Sequence, residues 1–180
     1  MNYKNNHFYI ENVSTEKIAK MYGTPVYSYS LKKLKSNIQN FKNYFKSFNP
    51  LICFSVKSNS NLEILKQIKK MGLGTDVVSQ GEMMKALRAR INSKKIVFSG
   101  VGKTSKEISY AIDKKILLIN AESQSEIEEI QRIARSKKKI VDIGIRLNPN
   151  TDAKTLSQIS TGKKENKFGI SEKKILELIN

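Results

Sequence analysis

The stretch "PLICFSVKSNSNLEILKQIKKMGLGTDVVSQGEMMKALRARI", Pro50 to Ile91, decides the fold. It opens on a short apolar run, residues 50–56, which ends at Lys57 and a polar turn. The spacing then predicts a helix over 62–72. Leu62, Leu65 and Ile68 share one face, and Gly72 stands where a helix C-terminus needs a stop. A second strand is expected over 73–79 and a second helix over 80–91, with Met83, Met84, Leu87 and Ile91 on one stripe.

Working outward, the same rhythm continues. A third strand is predicted at 95–100 and a third helix at 104–115, where Thr104 and Glu107 have capping-box spacing. A fourth strand at 116–120 precedes a helix at 123–137, opened by Ser123 with Glu126 three residues on. A fifth strand at 140–149 closes at Pro149, and a polar loop leads to a helix at 171–180. Near-continuous apolar strands alternating with amphipathic helices mean an α/β fold with a parallel sheet covered by helices. The choice lies between an open doubly wound sheet and a (β/α)8 TIM barrel. No glycine-rich nucleotide fingerprint follows the first strand, which weighs against the doubly wound form.

Polar residues gather where the predicted strands end: Lys57, Asp76, Ser79, Ser99, Asn120, Arg146 and Asn148. In a barrel that end carries the active site. A whole barrel takes roughly 250 residues, and about five βα units fit here, so an incomplete barrel is expected. Residues 1–28 fall outside the rhythm. "HFYIENV" and "TPVYSYS" read as short strands with a helical turn at "STEKIAKMYG" between them, a segment of a different module. Residues 29–180 are the expected partial barrel.

Composition narrows the function classes. Hydrophobic residues at 39% and charged residues at 27% are ordinary for a globular chain. No apolar run approaches the roughly 20 residues of a membrane span, and the N-terminus lacks the apolar stretch of a secretory signal. One Cys and one His leave no usual zinc set, and the lone cysteine suits a reducing, cytoplasmic setting. The net charge of +17 invites a nucleic-acid reading. Against it, only five of the 33 basic residues are arginine, and the lysines spread along helical segments such as "LKKLKSNIQNFKNYFK" as solvated faces. Neither a nucleic-acid nor a membrane partner is expected.

Lys57 is the first candidate for chemistry. A lysine at a strand end in a partly buried site has its cation disfavoured, and its amine can then form a Schiff base. The ordinary alternative is a lysine that snorkels to water. "CFSVKSNSN" resembles the pyridoxal-phosphate lysine motif of the diaminopimelate decarboxylases, among the alanine-racemase-like, fold-type III enzymes. The rest of the chain is similar in the same order. "YGTPVYSYS" (22–30), "GLGTDVVSQGEM" (72–83), "FSGVGKTSKEI" (98–108), "LINAESQSEIEEI" (118–130), "IRLNPNTDAKT" (145–155) and "ISTGKKENKFGI" (159–170) follow the family's pattern, and the last favours the diaminopimelate branch over the ornithine branch.

The resemblance implies roles at specific positions. Lys57 would hold pyridoxal 5'-phosphate as an internal aldimine and be displaced by the amine of an amino-acid substrate. Asp76 and Glu82 would lie on the polar side of the cofactor, and Arg146 would reach its ring oxygen. Arg146 can equally form a structural ion pair with Asp76 or Glu82. Asn148, Pro149, Lys167, Phe168 and Gly169 would shape loops. The family more often has Ala where Ser55 and Ser58 stand, and often His near Leu156. Cys53 has no matching catalytic role and reads as a small core residue. His7 cannot be the histidine that stacks on the cofactor in the family. The resemblance also implies a phosphate cradle, a ring carboxylate and a β-domain beyond residue 180, with residues 1–28 helping to build that domain. The implied whole is a homodimer converting meso-diaminopimelate to L-lysine, of which this chain would be an N-terminal portion with little activity alone. The runner-up is another fold-type III decarboxylase, acting on ornithine, arginine or carboxynorspermidine.

Overall fold

The structure, a computed structural model, describes residues 2–151 and 168–179. The expectations at Leu156 and Lys167 lie outside the described residues. The chain divides into two compact units, Met1–Pro50 and Leu51–Asn180. That division groups the helix at 31–44 with the N-terminal segment, beyond the expected boundary at residue 28.

In the first unit β1 (Asn2–Lys4), β2 (His7–Ile10) and β3 (Val13–Ser14) form an antiparallel meander. Asn5 and Asn6, both at positive φ, make the two-residue turn between β1 and β2, a conformation asparagine tolerates well. The helix α1 (Thr15–Tyr22) starts on a Ser14 cap, and α2 (Leu31–Tyr44) on a Ser30 cap. Glu11 ties the meander to α2: its carboxylate accepts from Ser30 Oγ at 2.9 Å and from the Lys32 N–H at 2.8 Å. Those two bonds hold the Glu11 carboxyl below its ordinary value, the Lys32 N–H contributing most. The strand expected in "TPVYSYS" is absent from the described ladders; residues 24–30 run without a partner strand. Alternating side chains gave that stretch a strand-like pattern, but a strand needs a ladder neighbour.

In the second unit five strands pair in parallel and in chain order: β4 (Cys53–Ser55), β5 (Gly74–Val77), β6 (Ile96–Phe98), β7 (Leu118–Ala121) and β8 (Ile143–Ile145). The order never reverses, unlike that of a doubly wound sheet. Between them run α3 (Leu62–Lys70), α4 (Gln80–Arg88), α5 (Ser105–Asp113) and α6 (Gln124–Ser136). The predicted strand and helix centres hold, with ends shifted by a few residues, mostly inward.

Period-two alternation gives the sheet two distinct faces. Val77, Ile96, Phe98, Ile119 and Ala121 are buried in one core with Leu65, Met83, Ala86, Ile108, Ala111, Ile112, Ile130 and Ile133 from the helices. Their neighbours in the strands, Cys53, Ser55, Asp76, Val97, Leu118 and Asn120, are only half-buried on the other face. Cys53 therefore stands outside the core expected for it. Burial still raises its thiol pKa, with the Asp76 charge adding to the effect. Met84 is also off the expected stripe, 52% exposed, because Ala86 takes the core-facing place beside Met83.

The helix starts carry their own chemistry. Ser79 accepts from the Glu82 N–H, Ser123 from the Glu126 N–H, and Thr104 and Glu107 form a full capping box. The fifth predicted strand is divided at Arg146. Its N–H donates to the Ala121 carbonyl on β7, whereas its own carbonyl accepts from the Ile170 N–H. Beyond that point β9 (Leu147–Asn148) pairs in parallel with β10 (Ile170–Ser171), which leads into α7 (Glu172–Ile179). Gly169 makes this approach possible. At φ +77° it sits where a Cβ would lie 2.8 Å from the Arg146 carbonyl oxygen.

Candidate active site

At the C-terminal ends of the five parallel strands lies a cleft of about 500 Å³, lined by residues that include Lys57, Asp76, Ser99, Asn120, Glu122 and Arg146. Its size is in the range of small-molecule sites. Three of the four residues expected to meet a cofactor are brought together here: Lys57, Asp76 and Arg146.

Lys57 stands on a single 3-10 turn, Val56–Ser58, that continues β4. Val56, fully buried, pins the turn to the core, and Ser58 Oγ donates to the Ser55 carbonyl at 2.7 Å. The partial burial expected of Lys57 is not found: it is exposed, and among the described residues it has no hydrogen bond or ion pair. An amine held at a fixed strand end with no counterion has its lone pair available, once deprotonated, to a carbonyl carbon.

Arg146 corrects one expectation. Its ion-pair partner is neither Asp76 nor Glu82 but Glu122, with Nη1 at 3.1 and 3.2 Å from the two carboxylate oxygens. Glu122 directly follows β7, and its side chain is 3% exposed against 39% for Arg146. The carboxylate is thus the buried anchor and the guanidinium the exposed end. The ring centre of Phe168 lies 5.0 Å from the guanidinium carbon, a cation–π contact. Among the described residues the other guanidinium nitrogens have no hydrogen-bond partner, leaving donors for an anionic oxygen in the cleft.

Glu82 does not line the cleft. Its Oε2 accepts from the Val78 N–H at 2.9 Å, just ahead of the Ser79 cap. Glu126 does the same in the next unit but one, accepting from the Glu122 N–H at 3.1 Å. The two carboxylates share a helix-start geometry.

Two features were not anticipated from the sequence. The first is Lys103, whose side chain is 1% exposed. Its ammonium donates to the Gly100 carbonyl at 2.6 Å, the Asn120 carbonyl at 2.7 Å and Glu126 Oε1 at 2.6 Å. All three ammonium protons are thereby matched, as a buried cation requires. The second is the Gly100 N–H, which donates to Glu122 Oε1 at 3.1 Å. The loop after β6 is therefore gripped through both groups of Gly100, at φ +94°, by Lys103 and Glu122. The available signal was position: Glu122 and Lys103 both follow a strand within five residues, as Glu82 does. His7 is exposed and paired with Glu16 at 3.1 Å.

The donor set suits pyridoxal phosphate: an unpartnered amine for its aldehyde and a half-exposed guanidinium for its ring oxygen. Comparison with known proteins points to the same cofactor. The family described as "Pyridoxal-dependent decarboxylase, pyridoxal binding domain" matches residues 31–180. A diaminopimelate decarboxylase of Helicobacter pylori strain J99 is 48% identical over 163 residues, 91% of this chain and 40% of that protein. The crystal structure of the Helicobacter pylori diaminopimelate decarboxylase complexed with L-lysine superposes with a TM-score of 0.87 at 47% identity, covering 91% of this chain and 41% of that one. The M. jannaschii diaminopimelate decarboxylase in co-complex with L-lysine gives 0.88 at 34% identity, covering 98% and 42%. The chain thus spans about two fifths of the length of the relatives it matches.

Proposed function

The chain belongs to the pyridoxal-dependent decarboxylase family, and from that premise we propose that its cleft is the lysine-bearing side of a decarboxylase site that turns meso-diaminopimelate into L-lysine. The observation that carries this reading is the unpartnered Lys57 amine at the end of β4, in one cleft with the half-exposed Arg146. The identity of 48% to a diaminopimelate decarboxylase favours that substrate.

Lys57 would hold pyridoxal phosphate covalently through its amine, Arg146 would donate to the ring oxygen, and Asp76 would face the same ligand. Glu122 keeps Arg146 in place, and the 3-10 turn keeps Lys57 at the strand end. When bound, the cofactor supplies the conjugated ring that takes up the electron pair left at Cα as carbon dioxide departs. The bond from Cα to the carboxylate carbon breaks, and a proton replaces the lost group. The chain's own contribution is position and charge.

The unreversed parallel order and the helix-covered face support reading the sheet as five strands of a (β/α)8 barrel. On the same reading residues 1–28 join a β-domain, the working unit is a homodimer in the cytoplasm, and this chain alone turns over slowly. The experiment is borohydride reduction in the presence of pyridoxal phosphate, followed by peptide mapping. Label on Lys57, lost in Lys57→Ala, is expected; label on another lysine refutes the assignment. Carbon dioxide release from diaminopimelate, compared with ornithine and arginine in the whole protein, tests the substrate.

A further inference from the structure

A chain of side-chain hydrogen bonds crosses three strands at the floor of the cleft. Asn120 Nδ2 on β7 donates to Ser99 Oγ at 2.9 Å, and Ser99 Oγ donates to Asp76 Oδ1 on β5. A serine hydroxyl has one proton. Because Ser99 already accepts from Asn120, its oxygen is turned so that this single proton goes to Asp76. Beyond its main-chain ladder bonds, the Asp76 side chain has no other hydrogen bond among the described residues, so Ser99 is its one hydrogen-bonding restraint there.

Asn120 is itself fixed at both ends. Its main-chain carbonyl accepts from the buried Lys103 ammonium at 2.7 Å. Its side-chain Oδ1 lies over Gly144, its register partner on β8, where a Cβ would come within 2.2 Å. Gly144 has ordinary extended backbone, so its lack of a side chain is what leaves room for the Asn120 amide. The amide also has only one workable orientation: turned over, its oxygen would face a hydroxyl oxygen whose proton is spent.

We propose that Asn120 and Ser99 are positioning residues for the proposed decarboxylase site, an uncharged relay seated on Gly144 that fixes the Asp76 carboxylate beside the Lys57–cofactor linkage. The inference rests on the reading of Lys57 given above. It assigns a function to two polar residues whose charge does not change and to a glycine that no turn requires.

The test titrates pyridoxal phosphate against borohydride-trapped label on Lys57, with thermal midpoints measured in parallel. Variants are Ser99→Ala, Ser99→Thr, Asn120→Leu, Asp76→Asn and the double Asp76→Asn/Asn120→Leu. Ser99→Ala and Asn120→Leu are each expected to weaken trapping about tenfold, the worth of one directed hydrogen bond. Ser99→Thr, which keeps the hydroxyl, restores trapping to near the parent value. In the double variant the fold-changes do not multiply, because Asn120 acts through Asp76. Unchanged trapping in Ser99→Ala, or multiplying effects in the double, overturns the relay while leaving Lys57 as the attachment point. Should Asn120→Leu fail to fold, the Ser99→Ala and Ser99→Thr pair decides alone. Parent label on a different lysine overturns the relay together with the reading beneath it.

Discussion

Replacing Lys103 with methionine should be among the most damaging single changes in the second unit. The side chains are close in length, so packing against Phe98, whose ring centre lies 5.4 Å from the ammonium, is largely kept. What is lost is the charge and its three bonds. Glu126 keeps one bond, from the Glu122 N–H, but its Oε1 then faces the protein interior with only 9% of the side chain exposed. The Gly100 and Asn120 carbonyls lose a donor as well. Removing one partner of a buried pair costs about 3–5 kcal/mol, and we take about 4 kcal/mol here because the three bonds are short and shielded. Against a typical total of roughly 5–15 kcal/mol, the folded fraction becomes marginal.

The second half of the cycle sharpens the claim. Glu126→Gln removes the anion, and in Lys103→Met/Glu126→Gln the amide can keep the Glu122 bond and donate its N–H groups to the freed carbonyls. The double variant should therefore recover about 2 kcal/mol of the loss. Urea unfolding followed by far-UV circular dichroism measures all four proteins, since the chain has no tryptophan to follow. A Lys103→Met variant within 1 kcal/mol of the parent, or strictly additive single changes, would refute this account.

Three further outcomes follow from packing and titration. Gly74→Ala places a Cβ 2.2 Å from the Lys95 carbonyl oxygen and 2.9 Å from Cys53 Sγ, so a loss of about 2–3 kcal/mol is expected from overpacking. Adding Cys53→Ala should recover only a minor part, because the closer obstacle is main chain; full rescue would show that the β5–β6 spacing yields easily. Glu107 accepts from the Gln80 N–H at 3.0 Å and from Thr104, which holds its carboxyl below the ordinary 4.5, the Gln80 bond first. A folded pKa below the unfolded one means that its contribution is present above about pH 4.5 and lost as pH falls through the folded value. The urea-midpoint gap between parent and Glu107→Ala, about 1 kcal/mol at pH 7, should thus close in acid; a constant gap would argue for packing instead. Cys53, its thiol pushed up by burial, should alkylate with iodoacetamide more slowly than in the urea-unfolded chain at pH 8. Equal rates would contradict the shielding.

Strand and helix positions from residue 50 onward were legible because each carries a strong local signal: an apolar run for the strand, a 3.6-residue stripe and a capping residue for the helix. That Lys57, Asp76 and Arg146 gather at one cleft was legible by place, since each stands at a strand end. The partner of Arg146 was not, since pairing across a sheet depends on which strand is the neighbour and how far the chain runs past it. Glu122 wins over Asp76 because β7, not β5, lies beside β8. The place of Glu82 off the cleft was hidden for a related reason: a carboxylate just after a strand is also one at a helix start, where it has work with the main chain. The segment "TPVYSYS" misled because alternation predicts a strand but supplies no neighbour.

The two faces of the sheet have a consequence for how such a chain can change over time. Val77 and Asp76 are adjacent in sequence, yet one is sealed in the core and the other opens to the cleft. The same holds for Phe98 and Ser99, and for Ala121 and Asn120. Selection on ligand chemistry and selection on folding therefore act on interleaved letters that seldom touch. A point substitution can explore one set while sparing the other, whereas a single-residue insertion within a strand swaps both at once. The sheet is thus tolerant of spelling changes and intolerant of frame changes, and variation in length should be confined to the loops between its elements.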